Sequence, residues 1–221
     1  MNALNFFDVQ QNTEEWLLMR CGLLTSSSIS KVMANYGGAF GDPAKRLAIG
    51  IALERITGQP IGSGFSNAHT DRGHEQEPVA RMLYEEETFC SVSNGGFFCN
   101  DIVGCSPDGL VGDCGAIEIK SVIASTHYAT VARGSYDPAY KWQVIANLMF
   151  TGRQWIDFVS YCEGYPIGKR LFIYRLAAPT LSKEFGMIRA RIAEFMPLVD
   201  AAEKSIQESR YSILETQQVQ A

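Results

Sequence analysis

The stretch from Gly104 to Ser121, G-C-S-P-D-G-L-V-G-D-C-G-A-I-E-I-K-S, constrains this chain more than any other. Ser106-Pro107-Asp108-Gly109 reads as a turn, because proline fixes one φ and glycine supplies a permissive one. Ala116 to Lys120 then alternates as a β-strand does. Successive side chains on a strand point to opposite faces. Ile117 and Ile119 therefore go to a core, and Glu118 and Lys120 share the other surface. Asp108, ten residues before Glu118, lies on the other arm of a hairpin and can return beside it. Two carboxylates and one ammonium then converge on one point.

Such a cluster suits metal-assisted phosphodiester hydrolysis. Mg²⁺ takes oxygen ligands, usually one or two carboxylates with water and substrate phosphate. The metal polarises the phosphoryl oxygen and lowers the pKa of a bound water, and a neighbouring lysine can orient that water. The plainer reading is an exposed hairpin with an ordinary cross-strand ion pair. The context favours chemistry: a P-D-G turn at the right distance, an apolar strand, and no other E-x-K in the chain.

With 221 residues, 46% of them apolar, and no linker-like segment, the sequence reads as a single domain over 1–221. Its tail is expected to fray after about residue 211. The fold class is α/β, with a mixed central sheet flanked by helices. No apolar run approaches a bilayer span and the start carries no signal-peptide pattern, so a cytoplasmic protein with no membrane partner is expected. The six cysteines form no C-x-x-C pair and the three histidines do not flank them at zinc spacing, so reduced thiols are expected rather than zinc or an iron–sulfur cluster. A net charge of −5 argues against a protein that coats DNA through a broad basic face, but not against a local basic groove.

Along the chain, Asn12 reads as the cap of a helix reaching Arg20. Thr25 to Ser28 offers N-caps for a second short helix, or with Arg20 a phosphate seat. Locally, capping is the stronger reading. Pro43 opens a helix that Gly58 ends, and 62–66 reads as a flexible loop. A helix over Thr70–Glu87 contains Gly73 and Pro78. On it Glu77 has Arg81 one turn away, which by itself suggests a surface pair. Short strands follow, Thr88–Val92, Gly96–Cys99 and Val103–Cys105, with Asn94-Gly95 as a hairpin turn. A short helix over His127–Arg133 comes next. Another, Asp137–Phe150, carries Gln143 beside its apolar stripe. Trp155–Tyr161 and Leu171–Arg175 pair as strands, and Thr180 caps a last helix kinked at Pro197.

The order G-x-x-x-E-P (Gly73 to Pro78), S-P-D-G (Ser106 to Gly109), E-I-K (Glu118 to Lys120) and a glutamine-bearing helix resembles the phage lambda exonuclease family. These YqaJ-type viral recombinases are members of the PD-(D/E)xK nuclease superfamily, with a restriction-endonuclease-like core. The resemblance runs from Trp16 to about Val159. It implies that Asp108, Glu118 and the main-chain carbonyl of Ile119 hold one or two Mg²⁺ ions, for which Mn²⁺ can substitute. It implies that Lys120 is the catalytic lysine, that Glu77 helps hold the metal or its water, and that Gln143 lies near the scissile phosphate. Arg20-Cys21-Gly22-Leu23-Leu24-Thr25-Ser26-Ser27 is similar to the family's R-x-G-x-x-T-x-S segment. By that likeness Arg20 and Ser27, with Ser106, bind the substrate's 5′-phosphate, which overturns the local preference for capping.

The resemblance further implies a homotrimeric ring that threads duplex DNA. The ring degrades one strand 5′→3′ to mononucleotides and passes the 3′ overhang to a single-strand annealing protein, in the cytoplasm of a bacterial host. Pro78 directly after Glu77 departs from the family pattern. The sibling family with an iron–sulfur cluster is set aside, since only Cys162 lies late in the chain. Two alternatives stay open: an endonuclease of the same fold, and a non-catalytic scaffold that binds DNA ends.

Overall fold

The structure, a computed structural model, describes residues 4–61 and 68–209, with residues 68–74 described by their backbone. The loop expected over 62–66 and the tail expected beyond about residue 211 lie outside the described residues. Seven helices and nine strands occur among the described residues.

The mixed sheet flanked by helices that the sequence implies is present, built as two mixed sheets. In the first, β1 (Asn5–Phe7) pairs with β4 (Phe97–Cys99), β4 with β5 (Val103–Cys105), and β5 runs parallel to β2 (Leu24–Thr25). The second has the order β3 (Val92–Ser93), β6 (Gly109–Val111), β7 (Gly115–Ser121), β8 (Trp155–Tyr161), β9 (Leu171–Ala177). Only β7 and β8 are parallel in it. A parallel pair needs a long crossover, and α5 (Ala124–Arg133) and α6 (Lys141–Thr151) supply it.

Asn94-Gly95 does not make the expected hairpin. The strands on either side of it, β3 and β4, belong to different sheets. Asn94 instead donates to Asp8 and to the Val9 carbonyl. A Cβ on Gly95 would come within 1.7 Å of the Pro107 carbonyl oxygen. The glycine is there because the chain crosses tightly behind the S-P-D-G turn, not because a two-residue hairpin needs it.

Helix ends differ from expectation where side-chain capping was inferred. Thr13, not Asn12, caps α1 (Glu14–Arg20), accepting from Trp16 N, while Asn12 takes a left-handed φ of 65° just outside. Ser26–Ser28 form a 3-10 turn before α2 (Ile29–Met33), and none of them caps it. Thr88 closes α4 (Ala68–Thr88) rather than starting a strand, and Pro78 is accommodated inside that helix. Thr180 donates its hydroxyl to Ala177, and α7 (Ser182–Glu208) begins two residues later. Helix α3 (Asp42–Thr57) has Pro43 in its first turn and is closed by Gly58 at φ 66°, as expected.

The second sheet is covered on both faces. Ile117, Ile119 and Val159 pack with Ala80 and Tyr84 of α4. Ala116, Ile156 and Phe158 pack with Val144, Ile145 and Leu148 of α6. Each large apolar side chain so buried contributes about 1.5–3 kcal/mol. That burial fixes the register of β7, since a one-residue slip would send its acid and base into the apolar layer.

Candidate active site

Strand β7 delivers Glu118 and Lys120 to the same face, as the alternation requires. Lys120 Nζ lies 2.6 Å from Glu118 Oε1, and Glu118 is 1% exposed. Helix α6 covers this face and supplies two amides: Gln143 Nε2 donates to Oε1 at 2.6 Å and Asn147 Nδ2 to Oε2 at 2.5 Å. These positions are four apart, so they occupy one stripe of the helix. A buried carboxylate needs such partners, because leaving it unpaired costs several kcal/mol.

The S-P-D-G turn returns Asp108 to β7 as expected. Asp108 N donates to Ile117 O, and the Asp108 side chain accepts from Ile119 N at 2.6 Å. Strand β6 begins at Gly109, so the aspartate continues the ladder with its carboxylate. A strand residue's N–H and C=O point to the same neighbour. The Ile119 carbonyl therefore faces the Asp108 side of β7. Glu77 arrives from α4, bonded to Arg81 at 3.3 Å, and Arg81 also donates to the Asp108 carbonyl.

The electrostatics follow from counting charges. Glu77, Asp108 and Glu118 interact through space, with Lys120 and Arg81 as the cations among them. Burial, and then Asp108, hold Glu118 well above the ordinary carboxylate range, despite Lys120. Burial, and then Asp108, likewise raise Glu77, against the opposing pull of Arg81. Burial alone would lower Lys120, but Glu118 and then Asp108 outweigh it and push the ammonium up. Its side chain stands over the Tyr140 ring at 5.1 Å. Lys120 is thus a fixed cation with one-fifth of its side chain exposed.

The donor set suits a hard divalent cation. Asp108, Glu118 and the Ile119 carbonyl offer oxygens only, and excess negative charge surrounds them. Among the described residues no three His, Cys, Asp or Glu side chains are gathered closely enough to cage a metal by themselves. Mg²⁺ does not require such a cage, since it keeps several waters and takes one or two carboxylates.

Arg20, Ser27 and Ser106 also come together, through a residue the sequence reading gave no role. Trp16 Nε1 donates to Ser106 Oγ at 2.7 Å, and the Arg20 guanidinium lies 4.0 Å above the Trp16 ring. Arg20 donates to Ser27 Oγ at 3.3 Å, and Ser27 pairs with Thr25 at 3.0 Å. Burial lowers Arg20 to about 10, so it is charged at neutral pH. Trp16 ties α1 to the S-P-D-G turn, and its position four before Arg20 is the sequence signal that could have found it. Asn147 was missed as well. It lies one turn after Gln143, where an asparagine among apolar neighbours is the trace of a buried polar duty. Arg81, whose spacing alone suggests a surface partner of Glu77, also holds the Asp108 backbone.

Comparison with known proteins places the chain's family. The model of the YqaJ-like viral recombinase domain matches residues 15–154. The chain is 33% identical to an alkaline exonuclease, LHK-Exo, from Laribacter hongkongensis, over 89% of this chain and 99% of that one, with a TM-score of 0.74. The same exonuclease has been solved in complex with dAMP, with the same identity, coverage and TM-score. A phage-related exonuclease from Haemophilus somnus 129PT shares the fold at 16% identity, with 86% and 99% coverage and a TM-score of 0.66. No curated protein matches the chain. With the family model spanning both the Arg20 segment and the Glu118–Lys120 strand, the chain belongs to the YqaJ-like viral recombinase domain family.

Proposed function

We propose that the protein is a Mg²⁺-dependent exonuclease that degrades one strand of double-stranded DNA from its 5′ end. On this reading it releases mononucleotides and leaves a 3′ overhang for annealing. One observation carries the reading: a buried Glu118 bonded to Lys120, Gln143 and Asn147, with Asp108 and Glu77 adding negative charge around it. The likeness to LHK-Exo, an exonuclease that binds dAMP, supports a nuclease with a mononucleotide product.

In the proposed mechanism Asp108, Glu118 and the Ile119 carbonyl would hold the metal, with Glu77 acting directly or through water. When bound, the ion polarises the scissile phosphoryl oxygen and acidifies its water. Lys120, kept protonated by Glu118, orients that water and offsets charge on the phosphorane. Gln143 fixes the Glu118 carboxylate and presents its amide toward the scissile phosphate. Asn147 holds the other Glu118 oxygen in place. Arg20, Ser27 and Ser106 receive the 5′-phosphate and so set the register of the cut. Family likeness further supports a homotrimeric ring, which would retain DNA despite a charge of −5, along with a single-strand annealing partner and action in the host cytoplasm. No described helix is long and apolar enough to cross a membrane.

The test uses linear duplexes with 5′-phosphate or 5′-hydroxyl ends and a closed circular duplex, each with Mg²⁺, with Mn²⁺ and with EDTA. Metal-dependent mononucleotide release, faster from the phosphorylated end and absent from the circle, is the expected result. Cutting of the circle would make the protein an endonuclease. Binding of ends without release in any metal would make it a scaffold.

A further inference from the structure

A cleft opens beside Arg20. It lies between α1 and α2 on one wall and α3 on the other, and its volume is about 500 Å³. That is within the range of small-ligand sites. Its walls are of two kinds. Leu17, Leu23, Leu47 and Ile51 give an apolar surface, while Arg20, Lys31 and Arg46 bring three cations to the same space.

The single lining carboxylate, Glu54, offsets Arg20 through space but leaves an excess of positive charge. Its two oxygens accept from Gly22 N at 2.9 Å and from Ile61 N at 3.0 Å. Arg46 and Lys31 have no hydrogen bond or ion pair among the described residues. With one carboxylate set against three cations, the cleft carries net positive charge centred on Arg46 and Lys31, and an anion bound between those two relieves their repulsion. An apolar wall beside a cationic one selects an anion with a flat apolar body. We infer that this cleft binds a nucleoside 5′-monophosphate unit, its phosphate on Arg46 and Lys31 and its base on the leucine wall. The choice of a nucleotide over another amphipathic anion rests on the proposed nuclease function. The cleft's preference for such an anion does not.

Two sources share this chemistry: a released mononucleotide, or the outermost nucleotide of a 5′ extension reaching past the phosphate seat. In either case the cleft differs from the hydrolytic centre, from which it borrows no carboxylate, and it shares only Arg20 with the proposed 5′-phosphate seat.

The experiment titrates dAMP calorimetrically into the full chain in EDTA, for the wild type and for Arg46→Glu, Lys31→Ala and Ser27→Ala. Arg46 and Lys31 are exposed, so their variants fold, which a thermal melt confirms. The expected result is that Arg46→Glu weakens dAMP binding about tenfold or more, as for lost charge-assisted contacts. Lys31→Ala weakens it less, Ser27→Ala leaves it within about twofold, and hydrolysis of blunt 5′-phosphorylated duplex by Arg46→Glu is unchanged. No binding at ~10 mM dAMP, an affinity too weak for a built site, overturns the inference. So does a Ser27→Ala loss larger than the Arg46→Glu loss, which would place the nucleotide in the phosphate seat. Arg46-dependent binding by a protein that hydrolyses no DNA would sink the nuclease reading and leave the cleft standing. Duplexes with a one-nucleotide 5′ extension then assign the source. Selective slowing of Arg46→Glu on them assigns a strand nucleotide, and selective relief from inhibition by added dAMP assigns the product.

Discussion

Glu118 on β7 and Asp157 on β8 are each 1% exposed, stand on adjacent parallel strands, and each bonds a basic side chain. They face opposite ways. Asp157 is in register with Ile117 and lies on the α4 side, where Tyr84 donates to it at 2.7 Å. Arg175 grips both its oxygens, at 2.7 and 2.8 Å, and lies 3.5 Å over the Trp155 ring. One acid thus meets one base in bidentate geometry, with a phenol hydroxyl added, and the group is closed. Around Glu118, two more carboxylates share the neighbourhood with Lys120 and Arg81, and Glu118 and Glu77 rise in pKa. A closed pair holds strands together. An open one asks for a cation and a substrate, and strongly perturbed acids in such a place mark a functional site.

The largest difference should appear when the two acids are neutralised in turn. Glu118→Gln should reduce nucleotide release at least about a thousandfold, because on the proposed mechanism it removes a metal oxygen and also removes the charge that fixes Lys120. Mg²⁺ should raise the melting temperature of the wild type through preferential binding to the folded state, and Glu118→Gln should abolish that rise. Asp157→Ala should do the reverse. It breaks a buried ion pair, which costs about 3 kcal/mol when one partner keeps some access to water, and Arg175 is half exposed. For a chain of this length that is a fall in melting temperature of about 10 °C, with activity per folded molecule and the Mg²⁺ shift retained. Nuclease assays paired with melts check both. Loss of catalysis in Asp157→Ala at a temperature where it remains folded would break the contrast.

Lys120 sharpens the same contrast within one site. Lys120→Ala should lower cleavage about 10²–10⁴-fold, the usual range for a positioned proton or water partner. Binding of duplex ends should change little, because an ammonium is not a metal ligand. A gel-shift assay in Ca²⁺ measures the second quantity. Binding that falls in step with cleavage would make Lys120 a substrate anchor instead.

How much of this was legible in the sequence depends on how local the cause was. The hairpin carrying Asp108, Glu118 and Lys120 could be read directly, because alternation and a P-D-G turn are local signals with one geometric meaning. The Asn94-Gly95 turn could not, since the same dipeptide serves a hairpin or a crossing, and only the nearness of the Pro107 backbone decides. The split into two sheets was equally hidden, because strand partners are set by long-range packing. Asp157 attracted no notice in Trp155–Tyr161, since its partners Arg175 and Tyr84 are 18 and 73 residues away. Trp16 was passed over for the same reason, with Ser106 ninety residues distant.

Trp16 separates a packing duty from a recognition duty. Trp16→Phe keeps a ring beneath Arg20 but removes the donor to Ser106. The expected result is a fall of about threefold to tenfold in the preference for 5′-phosphate over 5′-hydroxyl ends, the worth of one neutral hydrogen bond. The rate on hydroxyl ends should stay the same. Rates on the two substrates, taken as a ratio, check this. A proportional fall on both would mean that the tryptophan only supports the fold.

The smallest effect concerns a third buried polar group on this sheet, again closed rather than open. His127 on α5 is fully buried, with Nδ1 2.8 Å from Ser160 Oγ and Nε2 3.2 Å from the Lys169 carbonyl. Burial lowers its pKa below the ordinary value, with the Lys169 carbonyl pulling the other way. The unfolded chain therefore binds a proton more readily than the folded one. The sign follows from linkage: His127 contributes stability that is fully present above its unfolded pKa of about 6.5 and fades as pH falls through that value. The wild type should lose stability from this group as pH falls from 7 to 5. His127→Gln, which keeps a donor and an acceptor but cannot titrate, should flatten that acid limb while lowering stability at pH 7. Melting temperatures of both proteins across this range, in EDTA so that the metal site stays silent, measure the difference. Parallel curves would assign the acid limb to other groups.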